Sequence, residues 1–147
     1  MTFKTGSLLI APCLTLSVLA AAPTPELPTP EAIVQTQLDA YNARDMETFL
    51  ATYADDAELY TFPGTLQTKG KAEMRKRYAT RFSDGLLHAV ITQHLAMGST
   101  VIDHERIQVT LPEGPGVIEA IAIYEVRDGK IAKVTFISGP KQPGAKH

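Results

Sequence analysis

VQTQLDAYNARDMETFLATYADDAELYTFPG, residues Val34–Gly64, reads as two short amphipathic helices that lead directly into a strand. Ile33, Val34, Leu38 and Tyr41 recur at helical spacing and make one apolar stripe. Asp45 stands where a second helix needs an N-cap acceptor, and Met46, Phe49, Leu50 and Tyr53 are the inward residues that follow. Ala57–Phe62 has the composition of a strand and is closed by the turn pair Pro63-Gly64. Just upstream, Thr29-Pro30-Glu31 supplies a helix start. Threonine caps, proline fits the first turn where its missing N–H is not needed, and the acid sits at the positive end of the helix dipole.

Further along, the period changes. Met74, Tyr78 and Phe82 recur four residues apart and form the buried face of a third helix, about Lys71–Phe82. Two strands follow, about Leu87–Met97 and Thr100–Leu111, joined at Gly98-Ser99. Pro112–Gly116 reads as a loop, and Val117–Val126 with Lys130–Ser138 as a last hairpin. The hairpin turn contains Asp128-Gly129, a pair that tolerates the left-handed backbone a tight turn requires. Helices first and an antiparallel meander after them make one α+β domain, with the helices covering one face of the sheet. Residues 140–147 are expected to be a disordered tail.

The bulk properties agree with one globular domain. The chain has 147 residues and 44% hydrophobic content, enough for a core. A net charge of -2 gives no global attraction to nucleic acid. Residues 1–21 read as a signal peptide: Lys4, then the apolar run Leu8–Ala22 with a small-residue exit after Ala20 or Ala21. At about 15 residues that run is short of the roughly 20 a membrane span needs. Residues 22–29 form a Pro-rich linker. The expected protein is therefore secreted or periplasmic, without stable membrane insertion once the leader is removed. If Cys13 leaves with the leader, the mature chain has no cysteine, and disulfides, thiolate catalysis and Cys-ligated metal are then excluded.

Pro30–Gly139 resembles the NTF2-like superfamily, and its SnoaL-like domains in particular. The matching punctuation is Asn42-Ala43-Arg44-Asp45, Ala54-Asp55-Asp56-Ala57 and Val126-Arg127-Asp128-Gly129-Lys130-Ile131. The resemblance implies a cone, in which a curved antiparallel sheet wraps around about three N-terminal helices and encloses a pocket. It implies kinship with ketosteroid isomerases, limonene-epoxide hydrolases and polyketide cyclases. It also implies positions. The isomerase base falls on Thr61, its oxyanion tyrosine on Gln37 and its oxyanion acid on Ala122. Of the hydrolase Asp-Arg-Asp set, Arg106 matches the arginine, while Gln108 and Thr135 stand at the acids. Threonine has no useful basicity, alanine donates nothing, and glutamine orients a water without taking its proton.

With Arg106 set inward by that match, strand alternation brings in Ile102, His104 and Gln108. Pairing through Gly98-Ser99 places Gln93 opposite His104 and Ile91 opposite Arg106. The phase of Ala122 adds Ile118, Ala120 and Tyr124, and the first helix adds Gln37 and Tyr41. The expected ligand-binding residues are Gln37, Tyr41, Thr61, Gln93, Gln108, Ala122 and Tyr124, around a pocket for an apolar small molecule. The expected function is binding without the relatives' catalytic acids. The alternative is an isomerase, cyclase or hydrolase in which His104 is the base and Arg106 steadies a developing anion. No cofactor is expected, and the scattered histidines lack metal-ligand spacing.

His88, His94, Asp103 and Glu105 take the opposite phase, with His94 and Asp103 paired across strands. Glu119, Ile121, Ile123 and Glu125 share an outer face with Val134 and Phe136, and its apolar members point to a homodimer. Lys69, Lys71, Arg75, Lys76, Arg77 and Arg81 cluster around the third helix as a solvated charged face. No aromatic platform interleaves them, so nucleic acid is not an expected partner.

Overall fold

The computed structural model describes residue 2 and residues 26–144. All of the expected signal peptide but residue 2, its cysteine and the first half of the Pro-rich linker lie outside the described residues.

The helix signals of the sequence are realised locally. Thr29 Oγ1 accepts from Ala32 N at 3.2 Å and starts α1, Pro30–Ala43. The helix stops at Arg44, which adopts a left-handed φ of 56°. That turn aims the Arg44 guanidinium across the molecule, where it donates to the carbonyls of Asp84, Gly85 and Leu87. Asp45 caps α2, Met46–Ala51, by accepting from Thr48 N and Thr48 Oγ1. A third helix, α3, spans Lys71–Phe82 and buries Met74 and Tyr78.

Six strands complete the domain: β1 Tyr53–Thr61, β2 Thr65–Lys69, β3 His88–Met97, β4 Thr100–Leu111, β5 Gly114–Arg127 and β6 Lys130–Pro143. Their order is β2-β1-β6-β5-β4-β3. The sheet is mixed rather than purely antiparallel, because β1 runs parallel to β6. Register shifts in β1, β3, β5 and β6 bend the strands around the helices, as bulges do. The Asp128-Gly129 turn has both residues left-handed, at φ 52° and 69°.

Between helices and sheet, Tyr41, Phe49, Tyr53, Tyr78 and Phe82 form an aromatic cluster with Phe49 at its centre. Phe49 is fully buried, and its ring centroid lies 4.5 Å from that of Tyr78. Tilted and edge-on ring pairs of this kind stabilise beyond their buried area.

Three further features depart from the sequence reading. β2 was not foreseen; it is a short partner for β1. The segment Pro112–Gly116 is mostly strand, since β5 begins at Gly114 opposite Leu111. The expected tail is also strand as far as Pro143, because Lys141, Gln142 and Pro143 pair with Ile118, Val117 and Gly116. This extension adds Gly139 and Lys141 to the lining of the cavity.

Candidate active site

A cavity of about 790 Å³ lies between α1, α3 and the concave face of β4, β5 and β6. Its inner end is built from buried residues: Gln37 and Tyr41 of α1, Tyr78 of α3, Glu105 and Ile107 of β4, and Ala120 and Tyr124 of β5. Leu38, Ile118 and Phe136 make apolar walls, and Thr61 closes one side. Its mouth is formed by exposed or half-buried residues, among them Arg77, Arg81, Asp84 and Lys141.

Glu105 is the central polar group. It is only 6% exposed, and burial pushes its carboxyl up to about 7. The nearby Asp103 carboxylate adds to that rise. The Tyr124 hydroxyl and the Arg81 charge oppose it. Tyr124 Oη donates to Glu105 Oε1 at 3.1 Å. Gln37 Oε1 lies 3.5 Å from the same hydroxyl. One phenol proton cannot serve both acceptors well. A half-turn of the Gln37 amide, whose two ends have nearly the same shape, would make that group a donor to Tyr124 Oη. Burial also raises Tyr124 and Tyr41, and holds both as neutral phenols. Tyr41 Oη accepts from Arg81 Nε at 3.0 Å, so its own proton is left for another acceptor.

Asp103 faces inward beside Glu105 and is 3% exposed. It is held by His94 Nδ1 at 2.6 Å, which limits the rise that burial gives its carboxyl. Asp84 accepts from Leu86 N, Thr110 N and Thr110 Oγ1, and these bonds hold its carboxyl below the usual range. Among the described residues no three His, Cys, Asp or Glu side chains converge as a metal site would require.

The site expected from sequence is rearranged. Gln37, Tyr41, Thr61 and Tyr124 do line the cavity. Ala122 is fully buried on the inner face but is not part of the wall. His104 and Arg106, the expected catalytic pair, point out of the concave face, as do Gln93 and Gln108. The outward pair flanks Glu119, with His104 Nε2 at 3.8 Å and Arg106 Nε at 3.9 Å from its carboxylate. Glu105 and Asp103, expected outside, are the inward acids, although the His94–Asp103 pair itself forms.

The inversion has a simple cause. Anchoring β4 on the resemblance of Arg106 overrode the strand's own pattern. Val101, Ile107, Val109 and Leu111 share the phase of Glu105, whereas only Ile102 shares that of His104. On β3 the bulge between Ile91 and Gln93 makes Ile91 the partner of Glu105 and Val90 that of Arg106. Val134 and Phe136 are inward too, opposite Tyr124 and Ala122, and the outer residues of β6 are Lys133, Thr135 and Ile137.

A helix-lined cone with a cavity against its concave sheet defines the class. Residues 34–134 match the SnoaL-like domain family, and the chain belongs to it. Solved structures share the fold. An NTF2-like protein of unknown function from Cytophaga hutchinsonii superposes with a TM-score of 0.65 at 14% identity, covering 80% of this chain and 96% of its own. A Kribbella flavida protein assigned as a ketosteroid isomerase gives 0.65 at 19% identity, covering 80% and 83%. An LEH-like epoxide hydrolase of M. tuberculosis gives 0.60 at 18% identity, covering 73% and 80%. No curated protein matches the sequence.

Proposed function

We propose that this protein is an acid–base enzyme for a small, largely apolar molecule, with Glu105 as the proton-transferring group. One observation carries the reading: a carboxyl buried at the inner end of a cavity, where burial pushes it up to about 7. Such a group is available in both protonation states at neutral pH, which is what general acid–base catalysis needs. As a carboxylate, Glu105 takes a proton from carbon next to a ligand carbonyl; as the acid, it returns that proton to a second position. Tyr124 steadies the carboxylate by donating to it. Tyr41, held by Arg81 with its own proton free for the cavity, can donate to the developing enolate oxygen. The structural relatives assigned as an isomerase and an epoxide hydrolase support chemistry of this kind in the same cone.

The competing reading, binding without turnover, draws on Gln37 and Thr61 standing where the resemblance puts acid–base groups. A deuterium-exchange assay separates the two. Small cyclic and aryl ketones are incubated with the protein in D2O and followed by NMR. Wild type is expected to accelerate exchange at the carbon beside the carbonyl, and Glu105→Gln to abolish the acceleration. Exchange no faster with wild type than with the variant overturns the catalytic role of Glu105.

Export of the chain, with removal of the leader, belongs to the same proposal. So does a homodimer through the outer sheet face, where Ile102, Ile121, Ile123 and Ile137 are half-buried and Val90, Leu95 and Met97 are exposed in the single chain.

A further inference from the structure

The basic residues around α3 divide into two groups. Lys69 pairs with Glu58 at 2.8 Å, Lys71 with Asp55 at 2.8 Å and Lys76 with Glu73 at 2.7 Å. Arg75 makes a two-pronged contact with Glu47, at 2.5 and 2.9 Å. Arg77 and Arg81 have no carboxylate within ion-pair distance among the described residues, and both line the cavity. They lie four residues apart, on one face of the helix, where like charges repel. The extension of β6 brings Lys141 to the same mouth, opposite Ile118. Among the described residues the one acid at the mouth, Asp84, is already engaged by two backbone N–H groups and a hydroxyl. The cations that face away from the cavity are thus paired with carboxylates, and those that face into its mouth have none within ion-pair distance among the described residues, although Asp84 and Glu105 feel the Arg81 charge.

We propose that the cavity takes an organic anion, a molecule with an apolar body and one carboxylate, which Arg77, Arg81 and Lys141 hold at the mouth while the body reaches toward Glu105. This deepens the acid–base reading and rests on it for the role of the cavity. The planar fork of a guanidinium matches a carboxylate in two-pronged fashion, and such a ligand relieves the repulsion between the two arginines. Apolar walls at Leu38, Ile118 and Phe136 accommodate the body and reduce solvent screening of the charges. Arg81 also holds Tyr41, so anchoring the anion would order the phenol beside it.

Calorimetric titration with 2-naphthoate and its neutral counterpart 2-naphthamide tests this on wild type, Arg77→Gln and Arg77→Gln/Arg81→Gln. Wild type is expected to prefer the naphthoate by about tenfold, a charge-assisted contact's worth of discrimination. The preference should fall in the single variant and shrink to about twofold in the double variant, with the wild-type circular dichroism spectrum and urea midpoint kept as a sign that the fold is intact. Equal affinity of wild type for the two compounds overturns the anion preference and leaves the cavity reading standing. A preference that survives in the double variant overturns the role of the arginines. Binding of neither compound overturns both the anion preference and the cavity as a small-molecule site.

Discussion

Glu105→Gln should change how stability depends on pH in a defined way. The carboxyl rises from an ordinary 4.5 to about 7 on folding. Between those values the folded protein keeps the proton while the unfolded chain has released it. The folded state therefore binds more protons, and stability falls as pH rises across that window, levelling off above it. Two and a half pH units at about 1.4 kcal/mol each give a loss of roughly 3.5 kcal/mol between acid and alkaline limits. Glutamine keeps the shape, stays neutral and still accepts from Tyr124. The assay is urea unfolding of wild type and variant from pH 4 to pH 9, with the two stabilities subtracted at each pH so that groups common to both cancel. The variant should gain on wild type by about 3.5 kcal/mol from the acid to the alkaline end, most of it between pH 5 and 7. A flat difference, or a variant that loses ground as pH rises, would refute a buried carboxyl with a raised pKa.

Tyr53 Oη is buried and makes no well-formed hydrogen bond among the described residues, although the Gln37 side chain acts on it, so Tyr53→Phe should change stability by no more than about 1 kcal/mol; a larger loss in urea unfolding would show that the Gln37 contact is a full hydrogen bond. Phe49→Ala removes the centre of the aromatic cluster and should cost about 3–5 kcal/mol by the same measurement. His104→Ala and Arg106→Ala, on the outer face, should leave 2-naphthoate affinity unchanged and stability within about 0.5 kcal/mol, whereas a large loss of affinity would put them back in the site.

Much of the fold was legible because its signals are local. Thr29, Pro30 and Asp45 carry their helix starts in their own side chains, and Asp128-Gly129 carries its turn in its backbone preference. What stayed hidden depends on partners distant in sequence. The β6 extension exists because Lys141–Pro143 finds Gly116–Ile118, and the β3 bulge shows itself only in the pairing of β3 with β4. The phase of β4 is a different matter. Its aliphatic alternation pointed Glu105 inward from the start, and a resemblance at Arg106 pointed the other way. Burial of Val101, Ile107, Val109 and Leu111 outweighs the placement of one arginine, because each apolar side chain turned outward forfeits about 1.5–3 kcal/mol of burial. The cavity charges were visible only as a basic cluster, since sequence cannot show which lysines and arginines find carboxylates.

The central claim is that Glu105 sits inside the cone, buried and protonated up to neutral pH. Carbon-13 NMR of protein labelled at the glutamate carboxyl carbon measures this directly, with Glu105→Gln to assign the signal. One resonance, missing from the variant, should titrate with a midpoint near 7. If that resonance instead titrates in the ordinary range near 4.5, the carboxyl is solvated and the account of the site is wrong.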